Sequence, residues 1–409
     1  MTKRKHFFLI LILGSLTALG PFSIDMYLPG FPAIAKDLHT TVAKVSLSLS
    51  GFFIGISVGQ LLYGPLLDRF GRKKPLYIGL IIYIIASIGC AYATDIDALI
   101  VLRCVQAVGS CAAAVAAIAM VRDLFPIHEN AKVFALLMLV VGASPMIAPT
   151  VGGYVTSAFG WHAVFIVLMV LGIVNLLASI FGLDDKYEPD PTISLKPAPI
   201  LKNFIAVLKE PQFFTYAITG SMAFAGLFAY VAGSPLLFMD IFAVQEKTYG
   251  WIFAFLSIGL IGSSQLNTLM LKKYSSEQVI FAALICQSVT GVIFLIGSIN
   301  GWFGLPETIF LLFIFLSCLG FASPNTSALS MAPFTKNAGS ASALMGAVQM
   351  GLGTLASIGV SLFDTRSSLP MVAIMASTSL IALAVLFFGR KTIKRPYSVS
   401  ADNGGASFH

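Results

Sequence analysis

GPLLDRFGRKK, at residues 64–74, is a short charged turn between two long apolar runs. Each run has room for a helix of about 20 residues, the length that crosses a bilayer. Asp68 lies where the first helix should end, beside Arg69 and Arg72, and Gly71 permits a tight turn. A basic cytoplasmic loop would account for the charge. A charge cluster held between helix ends can also latch one conformation of a two-state protein.

The composition of the whole chain agrees with a membrane location. Of 409 residues, 57% are hydrophobic and 11% are charged, and the mean hydropathy is +0.90. An average soluble domain carries roughly 25% charged residues. This composition disfavours a soluble enzyme, a nucleic-acid-binding domain and a disordered chain, and the long continuous apolar runs disfavour a β-barrel. The five cysteines lie singly in apolar runs and form no CxxC pair, so neither disulfides nor a metal site is expected.

The apolar runs predict an all-α integral membrane protein with twelve transmembrane helices in two pseudo-symmetric six-helix halves. We expect an N-terminal bundle over 1–183, a cytoplasmic linker over 184–212, a C-terminal bundle over 213–390 and a cytoplasmic tail over 391–409. In the linker, apolar residues interleaved with Lys202 and Lys209 predict a short amphipathic helix on the membrane surface. A linker without regular structure is the alternative. The predicted spans are 7–33, 42–65, 75–94, 98–121, 132–158, 161–183, 213–239, 249–271, 277–299, 307–332, 338–363 and 369–389.

The distribution of Lys and Arg predicts the orientation. With the N-terminus inside, twenty of the 25 Lys and Arg fall in inner segments and four in outer segments, and Arg103 lies within a helix. Such a bias places both chain ends in the cytoplasm. We therefore expect a multi-pass protein of the bacterial inner membrane.

Asp25 and Arg103 are the clear ionisable residues inside predicted helices, so both are candidates for a functional site. Both lie roughly 8–12 Å below the outer surface, at a rise of 1.5 Å per residue, and this equal depth permits a pair. Such a pair can serve proton coupling, since the carboxyl can change protonation when substrate or water enters. A buried pair that only holds helices together is the alternative.

Three motifs resemble signatures of the major facilitator superfamily. They are the turn at 64–74, the pattern Leu99-x-x-x-Arg103-x-x-Gln106 in helix 4, and Ala148-Pro149-x-x-Gly152-Gly153 in helix 5, which is similar to an antiporter signature with Ala in place of its first Gly. Other segments resemble the Bcr/CflA drug-resistance branch: Asp25–Pro29, Arg122–Phe125, Gly233–Pro235, Ser323–Asn325 and Gly339–Ala343.

The resemblance implies roles for these residues. Asp25 would accept the proton and Arg103 would tune it. The gate would consist of Asp68, Arg69, Arg72 and Asp123, with a proton site as the alternative for Asp123. Pro29, Pro149, Gly152 and Gly153 would serve bending and close packing. A substrate cavity is expected from Tyr27, Gln106, Tyr230, Ser234, Asn325 and Gln349, unless these groups only hydrogen-bond between helices.

These features together predict a proton-coupled exporter of drug-like small molecules that works by alternating access. Export of one endogenous metabolite, such as a siderophore or an amino acid, is the alternative. We expect no cofactor, since the energy source is the proton gradient and no GxxxxGK[ST] motif is present. The expected partners are substrate, protons and the lipid bilayer, without nucleic acid, and a monomer is expected. An intramembrane enzyme or a passive channel is disfavoured, because no nucleophile–base set and no ring of like charges is visible.

Overall fold

The computed structural model describes residues 3–183, 187, 189–190, 197–334, 338–363 and 367–393. The described chain is helical and contains no strand. Its helices are α1 (Lys3–Asp25), α2 (Phe31–Asp37), α3 (Val42–Phe70), α4 (Lys73–Ala91), α5 (Ile96–Leu124), α6 (Ile127–Phe159), α7 (Trp161–Gly182), α8 (Pro197–Leu208), α9 (Pro211–Pro235), α10 (Glu246–Met270), α11 (Ser276–Asn300), α12 (Leu305–Met331), α13 (Ala338–Ser361) and α14 (Leu369–Gly389).

Twelve segments of the described chain are long and apolar enough to cross a membrane, which confirms the number predicted from the sequence. The first segment combines α1 and α2, and α8 is not a span. The predicted end of helix 2 near residue 65 was wrong, since α3 continues through Pro65 to Phe70. A proline removes one N–H and bends a helix, but the helix can resume beyond it.

The outside of the bundle is apolar, as a lipid-facing surface must be. Large side chains such as Ile78, Ile85 and Val101 are exposed, whereas polar side chains such as Gln106 and Asn325 are buried. Several helices begin with a side chain that satisfies a free backbone N–H. Thr41, Asp95 and Ser275 cap α3, α5 and α11 in this way.

The two halves share one packing plan. In the first half, α3 and α4 both pack on α5, α4 packs on α7, and α1 packs on α6. In the second half, α10 and α11 both pack on α12, α11 packs on α14, and α9 packs on α13. Each pair in the first list corresponds to the pair six spans later, so the predicted repeat of two six-helix units is present in the contacts.

The halves meet along two helix pairs, α3 with α13 and α6 with α10.

We call the end where α1 begins and α14 ends the terminal face, and the opposite end the far face. Ser46 donates to the carbonyl of Ala232 at 3.0 Å, and the hydroxyls of Ser50 and Ser357 are 2.7 Å apart. Because α3 begins at the far face, these contacts close the route between the halves on that side.

The linker contains the predicted short helix, α8, which is packed against the second half. Val207 is 1% exposed and packs with Phe213, Ala341 and Leu344. Ile205, on another side of α8, is 45% exposed. The helix therefore presents one apolar surface to the bundle at the terminal face. Residues 394–409 of the predicted tail lie outside the described residues.

Candidate functional site

The first span is broken where the sequence places Asp25. Helix α1 ends at Asp25, a turn follows at Met26 and Tyr27, a short 3-10 turn covers Leu28–Gly30, and α2 then begins. The span predicted over 7–33 is therefore present over His6–Asp37, but it is interrupted after Asp25 rather than formed by one helix. The predicted hinge residue Pro29 lies inside the 3-10 turn and lacks the N–H that a continuing helix would use.

Arg103 from α5 binds the end of α1 at this break. Its Nη2 donates to the Ser23 carbonyl at 2.7 Å, and its Nη1 donates to Oε1 of Gln106 at 2.5 Å. The guanidinium lies 4.2 Å from the ring centroids of both Tyr27 and Phe52. The last carbonyls of a helix lack backbone partners and carry partial negative charge, so a cation stabilises this end.

The structure does not join Asp25 to Arg103, the pair that equal depth permitted. Ser23, which holds Arg103, precedes Asp25 by two residues, and two residues correspond to about 200° around a helix. Asp25 is 5% exposed, and no hydrogen bond or ion pair from a described residue reaches its carboxylate. Arg103 likewise has no carboxylate partner in the described part of the chain.

Two tyrosines of the second half lie near Asp25. Tyr230 and Tyr249 both interact electrostatically with the Asp25 carboxylate. The sequence predicted Tyr230 as a residue of the substrate cavity, whereas Tyr249 was missed. Tyr249 shares a hydrogen bond of 2.8 Å with Ser234, and Tyr230 stacks on Phe253 at 5.4 Å between centroids. The hydroxyl of Tyr230 is buried and has no hydrogen-bond partner in the described structure. Asp25 therefore lies near enough to two tyrosines of the other half for an electrostatic interaction.

The remaining candidates for the substrate cavity lie elsewhere. Tyr27 and Gln106 are 1% and 0% exposed and belong to the cluster around Arg103, rather than to an open surface. Asn325 donates to Asn267 at 2.7 Å and so links α12 to α10, as the alternative reading of these groups expected. Gln349 lines a narrow cavity within the second half together with Ser221.

The motif at residues 148–153, which lies in α6, packs closely against both the break in the first span and helix α10. A Cβ on Gly152 would overlap the carbonyl oxygen of Met26, and a Cβ on Gly153 would lie 2.6 Å from the carbonyl oxygen of Glu246. A Cβ on Gly250 of α10 would lie 2.9 Å from the carbonyl oxygen of Pro149. Gly152 thus contacts the broken span, while Gly153 contacts the other half. A side chain at either position would collide with a backbone carbonyl, which explains why both Gly152 and Gly153 are glycine.

Three of the four predicted gate residues, Asp68, Arg72 and Asp123, come together at the terminal face. Nη1 of Arg72 donates to Oδ1 of Asp68 at 2.6 Å, and its Nε donates to Oδ2 of Asp123 at 2.7 Å. Burial lowers the pKa of Arg72, but its hydrogen bonds and charge contacts with Asp123 and Asp68 outweigh that effect and raise the pKa above its usual value. Gly71 has φ +85°, which a residue with a side chain rarely adopts. Arg69 lies 5.7 Å from the ring centroid of its neighbour Phe70.

Sequence reasoning missed three parts of this arrangement: Phe52, Tyr249 and the carbonyl of Ser23. None of them stands out by type in an apolar helix. Each matters because of the partner that tertiary packing brings to it. A search for aromatic side chains at the depth of Asp25 would have found the two rings but not the carbonyl.

Comparisons with known proteins agree with the motifs. Residues 13–358 match the family described as Major Facilitator Superfamily. An uncharacterised MFS-type transporter, YdgK, of Bacillus subtilis (strain 168) is 33% identical over 95% of this chain and 96% of the relative. A bicyclomycin resistance protein homologue of Haemophilus influenzae is 29% identical over 94% of this chain and 97% of the relative. The multidrug resistance protein MdtL of Escherichia coli O45:K1 is 28% identical over 91% and 93%.

Solved structures share the fold. A D-xylose-proton symporter has a TM-score of 0.72 at 12% identity and covers 93% of this chain and 97% of its own. A bacterial homologue of the human lysosomal transporter Spinster, inward-facing and unoccupied, has a TM-score of 0.73 at 14% identity, over 98% and 100%. The names of the sequence relatives are consistent with the Bcr/CflA branch. Since the family match covers most of the chain, and relatives of full length carry it, this chain belongs to the major facilitator superfamily.

Proposed function

We propose that this chain is a proton-coupled exporter of drug-like small molecules that works by alternating access between its halves. The observation that carries the proposal is the buried Asp25 carboxylate at the break in the first span, which no described hydrogen bond or ion pair satisfies. The names of the relatives, bicyclomycin resistance and multidrug resistance, favour drug-like substrates over a single metabolite.

Asp25 is suited to exchange a proton for a substrate. An isolated charge inside a membrane protein costs free energy, so a proton or a bound substrate at this carboxylate stabilises the site. Arg103 does not neutralise it, because its two end nitrogens donate to Ser23 and Gln106 and its guanidinium lies against the rings of Tyr27 and Phe52. Proton and substrate therefore compete for one group, which is the requirement for exchange.

The position of Asp25 between the halves connects this exchange to movement. Asp25 belongs to the first half, whereas Tyr230 and Tyr249 belong to the second. A change of charge at Asp25 alters its interaction with both tyrosines, and so alters the free energy of the contact between halves. The contact between the two halves at the far face would then alternate between a closed and an open state, and it is closed here by the contacts of Ser46 and Ser50.

The proposal includes a membrane orientation and a working unit. The excess of Lys and Arg in the segments predicted to be inner supports an orientation with both chain ends in the cytoplasm and the far face outward. One chain supplies every residue of the Asp25 site, so a monomer suffices. We assign no enzymatic step, since the site holds a carboxylate and aromatic rings but no nucleophile with a general base.

Accumulation assays test the proposal. Labelled drug-like compounds and metabolites are offered to cells with and without the protein, with and without an uncoupler. We expect lower accumulation of several drugs in cells with the protein, and loss of this difference with the uncoupler. Export of one metabolite with no drug would establish the alternative, and transport that persists without a proton gradient would contradict both.

Asp25→Asn tests the residue. The amide mimics the protonated acid, so we expect uphill export to disappear while the protein still folds and inserts. The matched control is Asp97→Asn, because Asp97 is exposed in the first turn of α5. Full uphill export by Asp25→Asn would refute the role of this carboxylate.

A further inference from the structure

A groove lies on the outer surface of the second half, where that surface reaches the terminal face. It has a volume of about 540 Å³ and runs between the start of α9 and the end of α14, so we call it the α9 groove. Its apolar walls include Phe214 of α9 and Ala384, Val385 and Phe388 of α14. The rings of Phe214 and Phe388 are exposed. The bundle therefore leaves an apolar recess on the surface that faces lipid.

A second groove lies on the opposite side of α14. It has a volume of about 320 Å³, and Phe281 and Ile285 of α11 form its other wall, so we call it the α11 groove. Ala384 and Phe388 line both grooves, which makes the end of α14 a ridge between them. A phospholipid carries two hydrocarbon chains on one headgroup, and one chain in each groove would cover the ridge from both sides.

Two lysines lie at the terminal end of this ridge. Lys209 lines the α9 groove, as does Thr392, the neighbour of Lys391. The ammonium of Lys391 lies 4.8 Å and 5.8 Å from the ring centroids of Phe387 and Phe388, which places it at the ridge. No ion pair joins either lysine to a carboxylate in the described part of the chain. Both positive charges are therefore available to one anion.

The backbone adds positive potential at the same end. Helix α9 begins at Pro211, which lines the α9 groove, and no side chain caps its N-terminus. The first N–H groups of a helix carry partial positive charge and attract anions. The neighbouring acids lie outside the grooves: Glu210 lines neither of them, and Glu277 pairs with Arg390 at 3.7 Å. Positive charge thus lies at the end of apolar walls, which is the arrangement that complements an anionic lipid.

We propose that this site binds one anionic phospholipid, with its phosphate at Lys209 and Lys391 and its two acyl chains in the α9 and α11 grooves. A free phosphate would satisfy the lysines but leave the apolar walls uncovered. A lipid without net charge would cover the walls but leave the two positive charges uncompensated. The proposal concerns a lipid site on the outer surface, and it does not depend on the transported substrate or on proton coupling.

Native mass spectrometry of the detergent-purified protein tests the proposal. The protein is titrated separately with dioleoyl phosphatidylglycerol and dioleoyl phosphatidylcholine, which have the same chains and differ in net charge. We expect the first phosphatidylglycerol to bind with the lower Kd. Lys209→Gln and Lys391→Gln should each raise that Kd about 5-fold, and the double variant about 25-fold, because each lysine contributes one attraction to an anionic headgroup. The Kd of phosphatidylcholine should stay nearly constant.

Two further variants separate charge from shape. Lys272→Gln combined with Lys273→Gln is the matched control, because both lysines are exposed in the turn between α10 and α11 and line neither groove. This control should leave the Kd of phosphatidylglycerol unchanged. Ala384→Trp fills the grooves at an exposed position without altering charge, so it should weaken the binding of both lipids.

The outcomes that overturn the proposal are distinct. Equal Kd values for the two lipids in the unmodified protein, or an equal loss in the control with both Lys272 and Lys273 replaced, would show that the two groove lysines select no anionic lipid. Binding of soluble sn-glycerol 1-phosphate as tightly as phosphatidylglycerol would show a site for a free anion. A dimer that Ala384→Trp converts to a monomer would identify a second copy of the chain as the occupant of the grooves.

Discussion

Replacing Arg103 by lysine keeps the charge but removes the geometry that the structure shows. The guanidinium donates to two acceptors, Ser23 and Gln106, and lies 4.2 Å from the ring centroids of both Tyr27 and Phe52. An ammonium is a compact point charge and cannot present a planar fork to both acceptors while it also packs on both rings. Arg103→Lys therefore tests whether this arrangement, rather than charge alone, stabilises the break in the first span.

The expected cost follows from the contacts. Lysine can retain one of the two charge-assisted hydrogen bonds, and the loss of the other costs about 1.5–3 kcal/mol. Loss of one of the two ring contacts adds about 1 kcal/mol. We expect Arg103→Lys to lower the free energy of unfolding by about 2.5–4 kcal/mol, and to reduce export because the end of α1 that carries Asp25 is held less firmly.

Unfolding in mixed micelles measures the free energy, and transport across a range of pH measures the coupling. Arg122→Lys is the matched control, because Arg122 lies on the same helix and is exposed. A change in the free energy of unfolding no larger than that of Arg122→Lys would show that Arg103 acts as a general charge. The pH profile adds an independent outcome, since tuning of Asp25 by Arg103 predicts a shifted optimum in Arg103→Lys.

Three further predictions concern packing, the gate and the driving force. Gly152→Ala forces a methyl group into the Met26 carbonyl and should destabilise the protein by about 1–3 kcal/mol; Gly351→Ala, where a Cβ meets nothing within 4 Å, should be near neutral in the same unfolding assay. Asp68→Asn weakens the ion pair with Arg72 and should slow turnover with KM nearly unchanged; a large rise in KM at normal turnover would contradict the gate role. In proteoliposomes, uphill movement of a neutral substrate should follow either a pH step or a voltage step. One charge crossing 100 mV corresponds to about 2.3 kcal/mol, or a gradient of roughly 40-fold, whereas transport that ignores both steps would refute proton exchange.

Much of the fold could be predicted because a bilayer imposes a strong local requirement on the sequence. Each span needs a long apolar run, so the number of spans and their approximate ends follow from single segments. The failures occurred at prolines. Pro65 lies within α3 without ending it, whereas the region around Pro29 interrupts the first span. Whether a proline bends or ends a helix depends on which neighbouring groups satisfy the freed carbonyls, and those neighbours are distant in sequence.

The candidate site was predictable in its charged members and not in their partners. Asp25 and Arg103 could be found because an ionisable group inside a membrane is costly wherever it points. Whether Asp25 and Arg103 contact each other could not be predicted. Each residue turns a helix by about 100°, so a step of two residues places Ser23, which binds Arg103, and Asp25 on different sides of α1. The contact between Asp68 and Arg72 was easier to predict, because these residues are only four positions apart. Asp123, which the family resemblance suggested, reaches Arg72 only because α5 packs nearby.

The sequence by itself therefore determined the membrane class, the twelve spans, the positions of the costly charges and the basic turn at 64–74. These depend on transfer free energies, which are properties of residue types and short segments. Only the tertiary structure decided that Arg103 holds the Ser23 carbonyl, that Asp25 lies near tyrosines of the other half, and that Tyr187 packs on Arg72. These depend on helix rotation and on which helices pack together, and many rotations bury the same apolar residues almost equally well.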